Sequence, residues 1–482
     1  MRTTDQRHWA VLSILILVTH GLSVTAAQDT GKPNVVVILV DDMGWTDLGG
    51  YGSDLHQTPH IDRLAERGMK FTNAYASAAV CTPTRAALMT GKAPARLNMT
   101  IWHEYAKTPT QNAKVIPPIT EGNLQHEEVT FAEVLQEAGY RTGHVGKWHL
   151  GEASHYPETH GFDFTFGGTF WGAPATFYFP YRGVFGSEDE QRYIPGVDAG
   201  EPRQGEHLTD RLTDEALKFI DKASGNPFIL YMSYYTVHTP IEGKSQIVDL
   251  YLQKIQEGMR HVNAHYAAMH ETLDDNVGRI LNKLEEEGVA DHTVVILTSD
   301  NGGYINEYDG QTVTSNAPLR SGKGALYEGG VRVPLIVHWP GVTTTASVSD
   351  EPVTTTDLYP TILDVAGLTG NVEHNKSVDG LSLAPLLENP ESSLDRDALY
   401  WHYPHYYHTT TPVSAIRRGK WKLLEFLEDG HLELYDLETD IGETQSLAAT
   451  QSALARELKR KLDAWREEVE APMPRPNPNY HQ

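Results

Sequence analysis

The chain has 482 residues and a formal charge of −25, with 64 acidic side chains against 39 basic ones. Such a surface excludes a nucleic-acid binder, because phosphate contacts need a basic face, and it demands a local cationic pocket for any anionic ligand. A hydrophobic content of 40% is that of a globular enzyme, and one cysteine excludes an intramolecular disulfide framework.

Residues 1–27 read as an export signal. Arg2 and Arg7 precede an apolar run from Trp9 to Val18, and the small residues Ser23 to Ala27 suit a signal peptidase. The run is short for a bilayer span, no later segment is long and apolar enough, and no cysteine at the cleavage site offers a lipid anchor. The expected product is an exported protein, periplasmic or secreted, with no stable membrane anchor. Its lone thiol then sits in an oxidising place without a partner.

After the signal, NVVVILV is a buried strand that runs straight into Asp41-Asp42. A helix follows from Phe131 to Ala138, with Thr130 as N-cap and Gly139 as the stop. The next strand leads into GKWHLG, which carries Lys147 and His149. Leu212, Ala216, Phe219 and Ile220 mark a helix ending near Gly225, and PFILYMSYY then runs into TVHTP with His238. Val262, Tyr266, Met269, Leu273, Val277, Ile280 and Leu284 line one face of a longer helix that stops at Gly288. TVVILTS leads into Asp300-Asn301. Apolar strands alternating with helices predict an α/β fold with a large, mostly parallel sheet sandwiched by helices. Ligands bind beyond the carboxyl ends of such strands, and four of these ends carry polar clusters.

The character changes near residue 385. SAIRRGKWKLLEFLEDGHLELYDL reads as an antiparallel meander, and Leu454, Leu458, Leu462 and Trp465 line a terminal helix. The expected organisation is a catalytic α/β domain over 28–385, a smaller C-terminal α+β subdomain on an antiparallel sheet over 386–470, and a flexible tail over 471–482.

Three carboxylates and an amide oxygen from Asp41, Asp42, Asp300 and Asn301 form a hard-oxygen set. It suits Ca²⁺ or Mg²⁺ rather than zinc. Each pair alone reads equally as a turn or cap, but carboxylates converging on one rim repel unless a cation lies between them. Cys81 precedes a helical stretch from Arg85 to Met89, with Pro83 in its first turn. From the residues alone it is either a small buried apolar group or a reactive thiolate beside Arg85.

The stretch CTPTRAALMTG around Cys81 resembles the signature of the type I, formylglycine-dependent sulfatases. VDDMGW, GKWHLG, VHTP, SDNGG and SGKGALYEGGVRVPLIVHWPG follow that family in order and spacing, from about residue 34 to the C-terminal meander. The similarity is to arylsulfatase A-type and carbohydrate sulfatases, within the alkaline-phosphatase-like superfamily. It implies that Cys81 is converted to Cα-formylglycine by a maturation enzyme and hydrated to a geminal diol. It also implies Ca²⁺, with Mg²⁺ less favoured, held by Asp41, Asp42, Asp300, Asn301 and the modified residue 81. By the same resemblance Arg85 orients the diol, Lys147 and Lys323 bind sulfate oxygens, and His149 and His238 lie beside the reacting centre.

The chemistry follows from those parts. One diol hydroxyl attacks sulfur and leaves a covalent sulfated enzyme. His238, with Lys323, protonates a leaving sugar alkoxide. The second hydroxyl loses a proton, with His149 the base, and sulfate is expelled as the carbonyl re-forms. The expected substrate is a sulfated saccharide. The alternatives are a phosphate or phosphonate ester hydrolase of the same superfamily, though Asn301 stands where those enzymes commonly carry histidine, or an inactive sulfated-glycan-binding protein. A cysteine hydrolase is a more distant one. WHYPHYYH at 401–408 and the aromatic stretch at 166–183 offer rings for sugar stacking or for packing alone. His103, His207 and His402 are sugar contacts no better founded than packing residues.

Overall fold

The computed structural model describes residues 31–106, 112–185, 191–201 and 203–480. The expected export signal lies outside these residues. Eight strands form the main sheet: β1 Asn34–Val40, β2 Met69–Phe71, β3 Arg141–Gly146, β4 Phe164–Phe166, β5 Phe228–Ser233, β6 Thr293–Ser299, β7 Leu335–His338 and β8 Ser347–Ser349. Their order is β8-β2-β7-β6-β1-β5-β3-β4. β7 pairs antiparallel with both β6 and β2, and every other pairing is parallel.

All of β1 is buried. Val35, Val37 and Leu39 enter one hydrophobic layer, while Val36, Ile38 and Val40 enter the other. With helices on both faces neither side is wet, so the strand is apolar throughout instead of alternating. The helices that matter here are α1 Pro59–Arg67, α2 Cys81–Thr90, α3 Phe131–Glu137, α4 Leu208–Ala223, α5 Ala264–Glu286 and α6 Leu358–Val365. α2, α3 and α6 contribute to the first layer; α1, α4 and α5 cover the second.

Local chemistry sets the helix ends. Thr130 Oγ1 accepts from the Glu133 amide at 3.2 Å and Glu133 accepts from the Thr130 amide at 2.8 Å, a reciprocal cap that starts α3. Asn263 caps α5 by accepting from the Tyr266 amide at 3.0 Å. That cap leaves Val262, expected on the buried face, ahead of the helix and half-exposed. The other six residues of the expected stripe are buried.

A second sheet runs β9 Leu399–Tyr403, β10 Val413–Arg418, β11 Trp421–Phe426 and β12 Leu432–Asp436, antiparallel and in chain order. Helix α7, Ser452–Glu468, packs Leu458 and Leu462 against Ile416, Leu423 and Leu434. The described residues of the expected tail make contacts with the main domain. Arg475–Pro476 pairs with Val115–Ile116, and the Asn477 side chain donates to the Ala113 carbonyl at 2.7 Å.

Candidate active site

β6, β1, β5 and β3 are adjacent and parallel, so their carboxyl ends share one rim. Asp41-Asp42 follows β1, Lys147 follows β3, Asp300-Asn301 follows β6, and His238 lies just past β5. β3 can end there because Gly146 has φ +104°; a Cβ on it would lie 1.9 Å from the Ser233 carbonyl oxygen. Asp42 and His149 both hold left-handed backbone, with φ of 61° and 58°. Such conformations persist only where the surroundings enforce them.

The side chains meet in a buried network. Lys147 Nζ donates to both Asp41 oxygens at 2.9 and 2.7 Å. Lys323 Nζ lies 2.7 and 2.8 Å from the two Asp42 oxygens. Arg85 Nε donates to Asp300 at 2.9 Å, and its Nη1 donates to Ser233 Oγ at 2.6 Å. Asn301 Nδ2 donates to Asp42 Oδ1 at 2.8 Å, while its Oδ1 is buried with no hydrogen-bond partner. Asp41, Asp42, Cys81 and His238 each offer a ligand atom within 4.8 Å of the others. Asp41, Asp42 and residue 81, with Asp300 accepting from the Asp42 amide at 3.2 Å and the orphaned Asn301 oxygen beside them, are a donor set that suits a hard divalent cation.

The charges explain the pKa pattern. Burial pushes Asp41 up to about 8 against the pull of Lys147, with Asp300 adding to the rise. Burial is the largest single influence on Asp42 and Asp300 as well, but Lys323 with His238 and Lys147 at Asp42, and Arg85 with Lys147 and Lys323 at Asp300, together outweigh it, so both lie below the usual carboxylate range. Cys81 is the first residue of α2, a helix whose ten residues are all buried. Burial pushes its thiol up to about 12 despite Lys147 and Lys323. Burial thus disfavours the reactive thiolate that a helix start beside Arg85 suggests.

His238 Nε2 accepts from Lys323 Nζ at 3.0 Å, and its Nδ1 donates to the Thr239 carbonyl at 2.8 Å. Burial and Lys323 lower it to about 3, so the mobile proton of this pair rests on lysine. His149 Nε2 lies 3.3 Å from Glu104 Oε2. A cavity of about 520 Å³ opens above residue 81; Asp42, His149, His238 and Lys323 line it beside Trp102, Tyr105, Tyr304, Tyr308 and Tyr407.

His103, His207 and His402 do not line this cavity. His207 caps α4 and contacts the Glu242 carbonyl at 3.1 Å, and His402 is buried between Ser414 and the Pro472 carbonyl. Of the 401–408 aromatics only Tyr407 lines the cavity, while Trp401 and Tyr403 are buried where the second sheet packs on Tyr75, Val80 and the 325–331 segment. Sequence reasoning missed Ser233 and Glu104. Ser233 was readable as the end of a rim strand; Glu104 lies on the short helix His103–Ala106 and carries no linear signal.

A sulfatase family model matches residues 33–368, and the model of the N-sulphoglucosamine sulphohydrolase C-terminal region matches 322–468. The chain belongs to the sulfatase family. A sulfatase of Formosa agariphila is 34% identical, over 92% of this chain and 90% of its own length. N-acetylgalactosamine-6-sulfatase of Mus musculus is 32% identical, over 85% of this chain and 75% of its own. The crystal structure of Ps i-CgsB is 30% identical and superposes with a TM-score of 0.73, covering 92% of this chain and 94% of that one. The fold is the alkaline-phosphatase-like one, and the sulfatase is a sulfuric ester hydrolase. The family works with a formylglycine and a divalent metal, and here an acidic cluster adjoins Cys81.

Proposed function

We propose that this sulfatase removes sulfate from saccharides, using a formylglycine diol at position 81 and Ca²⁺ held by Asp41, Asp42, Asp300, Asn301 and residue 81. One observation carries the reading: residue 81, Asp42 and Lys323 line a cavity walled by aromatic rings, with Asp41 and its partner Lys147 buried beside them. Ps i-CgsB has been solved with k-i-k-neocarrahexaose bound, which supports a saccharide for its relative here. Export to the periplasm or beyond suits such a substrate, and among the described residues no helix is long and apolar enough to cross a membrane.

The charge balance explains how so acidic a chain accepts an anion. Asp41, Asp42 and Asp300 are matched by Arg85, Lys147 and Lys323, so the protein part of the site is neutral when all are ionised. A bound divalent cation makes the site positive, polarises sulfate oxygens and eases loss of a diol proton. Lys147 and Lys323 turn toward sulfate oxygens, and Arg85, anchored on Asp300 and Ser233, orients the diol. A diol at residue 81 would attack sulfur through one oxygen, its proton passing to a neighbouring carboxylate, and residue 81 would become sulfated as the sulfur–oxygen bond to the sugar breaks. Lys323 and His238 deliver a proton to the departing sugar oxygen. His149 then takes the proton of the second hydroxyl, and sulfate leaves by carbon–oxygen cleavage.

The crystal structure of the phosphonate monoester hydrolase of Agrobacterium radiobacter shares the fold at 19% identity. Asn301, standing where those enzymes commonly carry histidine, favours the sulfatase reading with Ca²⁺. The test has two stages. The tryptic peptide Phe71–Arg85 from protein co-expressed with a maturation enzyme is expected at the mass of an aldehyde or its hydrate. That protein should then release sulfate from a panel of sulfated saccharides far faster than phosphate from matched esters. Faster phosphate release, or saccharide binding without turnover, overturns the reading.

A further inference from the structure

Everything about His149 is pinned except the rotation of its ring. Its amide donates to the Thr169 carbonyl at 3.0 Å, and its own carbonyl accepts from Thr82 Oγ1 at 2.8 Å. Its ring packs against Gly172, where a Cβ would lie 2.4 Å from Cε1. The remaining constraint is Glu104, whose carboxylate faces Nε2 at 3.3 Å. A carboxylate only accepts, so this pairing places the proton of the neutral ring on Nε2 and leaves Nδ1 bare. Nδ1 is buried and has no hydrogen-bond partner among the described residues.

We propose that Glu104 is a positioning residue: it fixes the orientation and tautomer of His149 so that Nδ1 is free to receive a proton. The proposal rests on the reading of His149 as the base. In the step it serves, the free hydroxyl of sulfated residue 81 gives its proton to Nδ1. The carbonyl forms as the carbon–oxygen bond to sulfate breaks, and sulfate leaves with the bonding pair. Glu104 lines the cavity together with His149 and Arg192. Burial opposes that charge, but His149 and its other partners hold the carboxyl down to about 2, so it stays ionised.

Fully modified, metal-loaded enzyme tests this with Glu104→Ala, Glu104→Gln, His149→Ala and the Glu104→Ala/His149→Ala double variant. Glu104→Ala is expected to lower kcat about 10- to 100-fold with KM within about 2-fold, as loss of an orienting partner does. The peptide of residue 81 should then accumulate with sulfate attached. Glu104→Gln, which keeps an acceptor oxygen, restores most of the rate. In the His149→Ala background, Glu104→Ala adds less than about 2-fold, because its effect passes through the ring. Independent, multiplying losses overturn the proposal, as does a raised KM at unchanged kcat, which makes Glu104 a sugar contact. A slow His149→Ala with an unaffected Glu104→Ala removes this proposal alone. A His149→Ala enzyme at full rate removes the base reading as well.

Discussion

A thiol at the first turn of a helix near cationic side chains ordinarily ionises with ease, yet burial drives Cys81 the other way, to about 12. The residue earns its place through what it becomes, and its neighbours are arranged for that product. Asp41 shows the same dominance of burial. Burial raises the Asp41 carboxyl against the pull of Lys147, so a proton kept there in the metal-free protein has to leave when a cation binds. Calcium added to metal-free protein at about pH 7 in weak buffer is expected to release roughly one proton, and almost none at about pH 9; equal release at both rules this out. His238 gives a sharper prediction. Its hydrogen bond to Lys323 suits protonation of a poor leaving group and is wasted on a good one. His238→Ala should lower kcat on a sulfated saccharide by about 10²- to 10⁴-fold, and on a nitrophenyl sulfate by far less. Equal losses on both would assign His238 to sulfate binding instead.

Elements place these residues, and their legibility followed how much context each needed. β1, β5 and β6 were readable because strands buried on both faces are apolar without interruption, and the polar residues that follow them had to lie on one rim. β2 and β8 have three residues each, too few for any period, and the reversed direction of β7 depends on its partners alone. Glu104 was invisible because its meaning comes from a histidine 45 positions away. Helix α2 was only partly legible: buried on every side, it has no amphipathic stripe to mark its start. Its anchor is Thr84, whose Oγ1 both accepts from the Ala78 amide and donates to the Ala78 carbonyl at 3.1 Å. Thr84→Val keeps the shape and orphans two buried backbone groups. It should cost about 1–3 kcal/mol in urea unfolding, while Thr84→Ser stays close to wild type. Equal stability of all three proteins would mean that packing alone seats residue 81.

On the scale of the molecule, the second sheet grips the segment that carries Lys323. Glu328, on that segment, receives Lys422 Nζ of β11 at 2.7 Å and Tyr75 Oη at 2.7 Å, all buried. Glu443, just past β12, accepts from the Glu328 amide at 2.7 Å and lies 3.1 Å from Lys422 Nζ. Lys422 and Arg332 hold Glu328, against the cost of burial, down to about 2. One lysine does not support two buried carboxylates equally: burial and the Glu328 charge, opposed by Lys422, leave Glu443 raised to about 7. A folded-state pKa above the unfolded one means that the native protein binds the extra proton between roughly pH 4.5 and 7. The resulting stability is therefore full in acid and falls away as pH rises through about 7. Urea unfolding at about pH 5.5 and pH 8 should show wild type losing on the order of 1–3 kcal/mol more than Glu443→Gln, whose side chain cannot ionise. Parallel losses would mean that Glu443 is already charged in the folded protein. The clamp on the Lys323 segment would then be a fully ionised network, indifferent to pH across this range.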